Sequence, residues 1–144
     1  MITGMDPVVL LIIQLASRAF DVPAPLIYAV GMRESNWNLH ALGDYDEEKK
    51  PHSFGPMQLN DKGAGAGYPQ DLLLNPAFNI FLGTEYLKAS LDYHPNNLRL
   101  ALAAYRQGPG GAAQNGYAPS TAYVADILKY YEEAKKESAK GGSK

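Results

Sequence analysis

The chain has no cysteine, which excludes disulfides and thiolate metal sites and leaves the redox compartment unreadable. It has no surplus of positive charge either: 13 Lys and Arg stand against 15 Asp and Glu, a formal net charge of −2. Without a positive field to gather phosphates, nucleic acid is a poor partner. The longest apolar run, Val8-Val9-Leu10-Leu11-Ile12-Ile13, is too short to span a bilayer, so no stable membrane insertion is expected. Asp6 precedes that run and no Lys or Arg does, which is wrong for an export leader. Long period-two alternation is missing, so no substantial sheet is expected, and no repeat is visible. The three histidines, His40, His52 and His94, fall in separate loops without ligand spacing, so neither a metal nor another cofactor is expected.

What is present is enough apolar material for one domain. With 46% hydrophobic residues in 144, the chain can bury about two thirds of its unfolded surface. The expected domain covers residues 1–137, with a disordered tail over 138–144, where Ser138-Ala139-Lys140-Gly141-Gly142-Ser143-Lys144 offers little to bury. Asp6-Pro7 supplies a cap and a first-turn proline for a helix to Phe20, and Pro25 opens a second from Ala24 to about Asn36. Residues 39–52 lose periodicity and read as a solvated loop of mixed charge. Gly63 to Gly67 lacks the ending of a phosphate loop and reads as a flexible connection. Asn75-Pro76 caps a helix towards Leu91, Leu98 to Arg106 makes a shorter one stopped at Gly108, and a last helix spans about Ser120 to Lys136.

One carboxylate is out of keeping with its surroundings. At helical spacing Ile27, Val30, Gly31, Glu34 and Trp37 share one stripe, which puts Glu34 among apolar side chains near a helix C-terminus. Burial and the negative end of the helix both disfavour the charged form and raise the pKa, the condition a general acid needs near neutral pH. An ordinary structural Glu paired with a neighbouring Arg or Lys would fit the same position.

Three further stretches bear on that choice. Glu34-Ser35, Gly55-Pro56-Met57-Gln58 and Ala104-Tyr105-Arg106-Gln107-Gly108-Pro109-Gly110 resemble the Glu-Ser, Gly-Leu-Met-Gln and Ala-Tyr-Asn-Ala-Gly motifs of the soluble lytic transglycosylase domain. Tyr123-Val124 is similar to its final tyrosine motif, and Asn75-Pro76 with Asn79-Ile80, Gly83 and Tyr86-Leu87 to its central helix. The resemblance covers roughly Val8 to Tyr131. It implies a mainly α, lysozyme-like single domain with helices around a cleft for the glycan strands of peptidoglycan. The implied reaction cleaves the bond between N-acetylmuramic acid and N-acetylglucosamine, with Glu34 first as acid and then as base, and leaves a 1,6-anhydro end. By the same resemblance Gln58 contacts the sugar or its N-acetyl group, Tyr105 positions the reacting centre, and Tyr123 closes the cleft. Ser53 and Asn60 are further substrate contacts. Tyr105 and Tyr123 also lie on apolar helix stripes, where a tyrosine is ordinarily a core residue, and Ser35 can brace Glu34 or touch substrate.

Two departures and two alternatives stay open. Arg106 and Gln107 stand where the resemblance has Asn and Ala, and Pro56 stands where Leu is commoner. Gly43-Asp44 ahead of Ser53-Phe54-Gly55-Pro56-Met57-Gln58 is also similar to goose-type lysozymes, in which loop aspartates are proposed to activate water. Direct hydrolysis assisted by Asp44 or Asp61 is therefore an alternative, although Asn60 stands where that family has Asp. A glycan-binding module without turnover is the second. Action in the periplasm or cell wall is expected, by a monomer that is phage-encoded and released by a holin or carried in the virion.

Overall fold

The computed structural model describes residue 2, residues 4–108 and residues 121–142. Helix α1 (Pro7–Phe20) begins where the Asp6 carboxylate accepts the Val8 N–H at 2.7 Å, and ends at Asp21 in the left-handed conformation. Helix α2 (Ala24–Ser35) starts with Pro25 in its first turn and stops at Asn36, also left-handed with φ 53°. The next residue, Trp37, folds its indole back onto Gly31 and donates its ring N–H to the Tyr28 carbonyl at 2.9 Å. A Cβ on Gly31 would lie 2.3 Å from that indole, so only glycine lets the chain turn back here. This reversal fixes where α2 ends, and with it the position of Glu34 in the last turn.

A small antiparallel sheet follows, in the order β1 (Leu42–Gly43), β2 (Ser53–Phe54), β3 (Leu59–Asn60). Leu42 pairs with Phe54 and Gly43 with Ser53, while Ser53 pairs with Asn60 and Phe54 with Leu59. Strands of two residues cannot hold a turn in place by themselves. The turn between β2 and β3 is instead gripped by buried Asn79. Its amide donates to the carbonyls of Phe54 and Leu73, each at 2.8 Å, and accepts the Met57 N–H at 3.0 Å. One side chain thus satisfies three backbone groups that would otherwise be orphaned in the interior.

Asn79 lies on α4 (Pro76–Tyr93), which follows the short α3 (Gln70–Leu73) and is capped by Asn75. Gly83, one turn on, admits Met57: a Cβ there would meet its sulfur at 2.5 Å. Helix α5 (Leu98–Gln107) is capped by Asn97 and ends at Gly108, with φ 81°. Helix α6 (Thr121–Gly142) packs along α2, while α1 and α5 pack against α4. Ile27, Val30, Met57, Leu59, Leu73, Ile80, Leu87, Leu102 and Ile127 are fully buried between these elements. Each such side chain contributes about 1.5–3 kcal/mol.

Several expectations change. The helix that residues 138–144 were expected to leave behind runs on to Gly142. Residues 137–140 contain neither proline nor glycine, and extending an existing helix costs little. Ser143 and Lys144, and the turn expected over residues 109–119, lie outside the described residues. Gly63 to Gly67 is no loose connection but a series of turns, with the N–H groups of Gly63 and Gly65 both bonded to the Asn60 carbonyl. Among the described residues no helix is long and apolar enough to cross a membrane.

Candidate active site

The last turn of α2, the sheet and the end of α5 enclose a cleft of about 480 Å³. Glu34, Asp44, Ser53, Gln58, Asn60 and Tyr105 line it, so of the candidate residues named from sequence the structure brings together all but Tyr123 and Asp61. Glu34 is the most perturbed carboxyl in it. Loss of hydration raises its pKa to about 7, against the hydrogen bond from Tyr123 and the charges of Arg106 and Arg33, which lower it. Asp44 adds a smaller upward push. The carboxyl that the helix stripe singled out thus lines the cleft with its pKa raised.

Tyr123 lies outside the cleft lining. It is 2% exposed, sits behind Glu34 on the first turn of α6, and donates its hydroxyl proton to the Glu34 carboxylate. Burial and the neighbouring Glu34 hold its own pKa well above the ordinary tyrosine value, so it stays a donor. Both Arg33 and Arg106 lie over its ring, at 5.2 Å and 5.0 Å from the centroid. The hydroxyl of Tyr123 is thus committed to Glu34.

The other polar groups are largely committed to the protein. Gln58 has φ 51° and donates its amide to the carbonyls of Gly55 at 3.0 Å and Ala41 at 3.3 Å, which ties the turn to the chain before β1. Ser53 donates to Asp44, and Asn60 donates to Ser53 at 3.1 Å and to Asp44 at 3.4 Å. These three residues form one network on the sheet side of the cleft. Tyr105 spends its hydroxyl on the Met57 carbonyl at 3.0 Å and presents its ring beside Tyr86, 5.2 Å away. Ser35 is a brace, donating to the Pro56 carbonyl at 2.8 Å.

The two candidate aspartates separate. Asp44 faces the cleft, whereas Asp61 is turned into the opposite side of the hairpin, where it meets His52 Nδ1 at 3.0 Å. His52 Nε2 reaches Asp46 at 2.8 Å, so this histidine bridges two acids instead of standing free in a loop. Among the described residues no group of three or more ligand-type side chains is arranged to hold a metal ion.

Sequence reading overlooked Lys62 and the contact of Arg33 with the Tyr123 ring. Lys62 is in the cleft lining, and Arg33 pairs with Asp126 at 3.0 Å. Tyr86 and Asn79 were visible only as parts of the central-helix resemblance. A buried amide on an otherwise apolar helix stripe is the signal that marks Asn79 as a bonding hub.

A polar cleft lined by a carboxyl of raised pKa agrees with what comparison of the sequence finds. A family model described as the Transglycosylase SLT domain matches residues 11–125, most of the chain. That match runs from within α1 to the start of α6 and includes Glu34, the β2–β3 turn and Tyr123. The mainly helical fold is accordingly the lysozyme-like one, the family's substrate is the peptidoglycan of the cell wall, and the enzyme class is that of lytic transglycosylases. The chain belongs to the transglycosylase SLT domain family.

Proposed function

We propose that this protein cleaves the β-1,4 bond between N-acetylmuramic acid and N-acetylglucosamine in peptidoglycan without consuming water, and that Glu34 carries both proton transfers. The observation behind this reading is the pKa of Glu34, about 7, in a carboxyl that lines the cleft. Near neutral pH such a group is populated in both forms, so it can donate in one step and accept in the next. In the first step the Glu34 proton passes to the glycosidic oxygen, the bond to the muramoyl C1 breaks, and N-acetylglucosamine leaves with a free 4-hydroxyl. The acetamido oxygen of the muramoyl residue supports the developing positive charge at C1, in place of a second carboxylate. In the second step the Glu34 carboxylate takes the proton of the C6 hydroxyl, and O6 bonds to C1 to close the 1,6-anhydro ring. Glu34 ends protonated, ready for another cycle.

Tyr123 holds one carboxyl oxygen of Glu34 and leaves the other for the moving proton. The rings of Tyr86 and Tyr105 offer apolar faces to the sugar, and Ser53, Gln58 and Asn60 shape the polar floor.

A second reading rests on Asp44, which lines the same cleft as Glu34 and is held there by Ser53 and Asn60. A carboxylate so placed can activate water for direct hydrolysis. The two readings part in ¹⁸O-labelled water, with mass spectrometry of the fragments released from purified peptidoglycan. Unlabelled 1,6-anhydromuramoyl ends are expected. Labelled reducing ends would favour Asp44-assisted hydrolysis, and binding without any product would make the protein a glycan-binding module.

A further inference from the structure

Arg106 stands where the transglycosylase resemblance has asparagine, and its setting gives that exchange a chemical meaning. Its guanidinium lies 5.0 Å from the centre of the Tyr123 ring and lines the cleft with Glu34. A guanidinium held over an aromatic ring keeps its N–H donors for polar partners. Arg33 lies over the same ring, yet its edge is taken by Asp126 at 3.0 Å. Arg106 forms an ion pair with no carboxylate among the described residues. Glu34 shares the cleft lining and feels the Arg106 charge, which lowers its pKa, but the two form no ion pair. A guanidinium held over an aromatic ring in the cleft lining, with no carboxylate paired to it among the described residues, suits two-pronged binding of a carboxylate.

The substrate bears carboxylates on alternate sugars only. N-acetylglucosamine is neutral, whereas each muramoyl residue carries a lactyl carboxyl, either free or extended by a peptide with carboxyls of its own. A strand can enter the cleft in two registers, and this charge marks the muramoyl positions. We propose that Arg106 is a specificity-determining residue that binds a carboxylate on the muramoyl substituent and so sets the register in which the strand meets Glu34. The inference rests on the glycan-cleaving reading of the cleft.

The test uses the Glu34→Gln protein, which is expected to bind without turnover, alone and combined with Arg106→Asn or Arg106→Lys. Calorimetry would measure three probes: a neutral N-acetylglucosamine oligomer, a peptidoglycan oligosaccharide stripped of its peptides, and one that retains them. Loss of a charge-assisted contact should weaken carboxylate-bearing probes by about tenfold to a hundredfold in Arg106→Asn, with partial recovery in Arg106→Lys. The neutral oligomer should change by no more than about twofold. A loss confined to the stripped probe identifies the lactyl carboxylate as the ligand, and one confined to the peptide-bearing probe identifies a stem carboxylate. Equal losses on all three probes, or no loss on any, would overturn the proposal while leaving the cleft a glycan site. Failure of the Glu34→Gln protein to bind any probe would instead remove the reading of the cleft on which the proposal rests.

Discussion

The hydroxyl of Tyr105, on α5, donates to the carbonyl of Met57, 48 residues earlier, at 3.0 Å. That bond joins the rear of the cleft to the turn that carries Gln58, and burial holds the phenol far above its ordinary pKa. Tyr105→Phe keeps the ring but leaves the Met57 carbonyl without its donor, a cost of about 1–2 kcal/mol. Thermal unfolding should show a lower Tm, with glycan cleavage reduced far less than by removal of Glu34. Activity lost at unchanged stability would mean that the hydroxyl serves the substrate instead.

Glu34→Gln should abolish cleavage by several powers of ten, since proton transfer alone contributes roughly 10²–10⁴ and the same group stabilises charge. Its effect on stability should have the opposite sign. A carboxyl whose pKa rises from 4.5 to about 7 on folding favours the folded state below its unfolded value, and that contribution is lost as pH climbs through 7. Wild-type protein should therefore lose up to about 3 kcal/mol between pH 4 and pH 9 from this group, a penalty the amide does not have. Denaturant melts of both proteins across that range would check it; parallel curves would contradict the burial of a titrating acid. Wild-type cleavage should decline above pH 7 as Glu34 ionises.

Asn79 bonds to three backbone groups, and no apolar residue can replace those bonds. Asn79→Leu should cost about 3 kcal/mol or more, because each orphaned buried group costs roughly 1–3. Hydrogen exchange should show the β2–β3 turn loosened before α1 or α6. Uniform loosening would mean that Asn79 supports the core generally and not this turn.

His52 joins Asp46 and Asp61, which raises the pKa of the imidazole and, through the Asp46 contacts with Lys50, His52 and Glu48, lowers that of Asp46. The histidine contribution is complete below its unfolded value near 6.5 and disappears as pH rises through the elevated one. The Asp46 contribution is present above 3.8 and disappears as pH falls through the depressed one. Residues 44–51 should thus resist proteolysis best between about pH 4 and pH 6.5 and loosen on the alkaline side. His52→Ala should flatten that dependence, measured as the cleavage rate of a protease active across the range. An unchanged pH profile would refute the clamp.

The sequence by itself determined the helix starts, because a cap and a first-turn proline act within a few residues: Asp6 with Pro7, and Asn75 with Pro76. It also marked Glu34 as an acid set among apolar residues, half-buried in the structure, since an apolar stripe around a carboxylate is a local pattern. Tertiary structure alone decided how the polar side chains are spent. Gln58, Tyr105 and Tyr123 have the right chemistry to touch a sugar, but hydrogen bonds to Ala41, Met57 and Glu34 turn them inward. Those partners lie 17 to 89 residues away, beyond the reach of any periodicity. The same holds for the two aspartates, which look alike in sequence until the hairpin directs Asp44 into the cleft and Asp61 onto His52. Local pattern fixes which residues are buried or capped, and only the packing of distant elements fixes which donors and charges remain for a ligand.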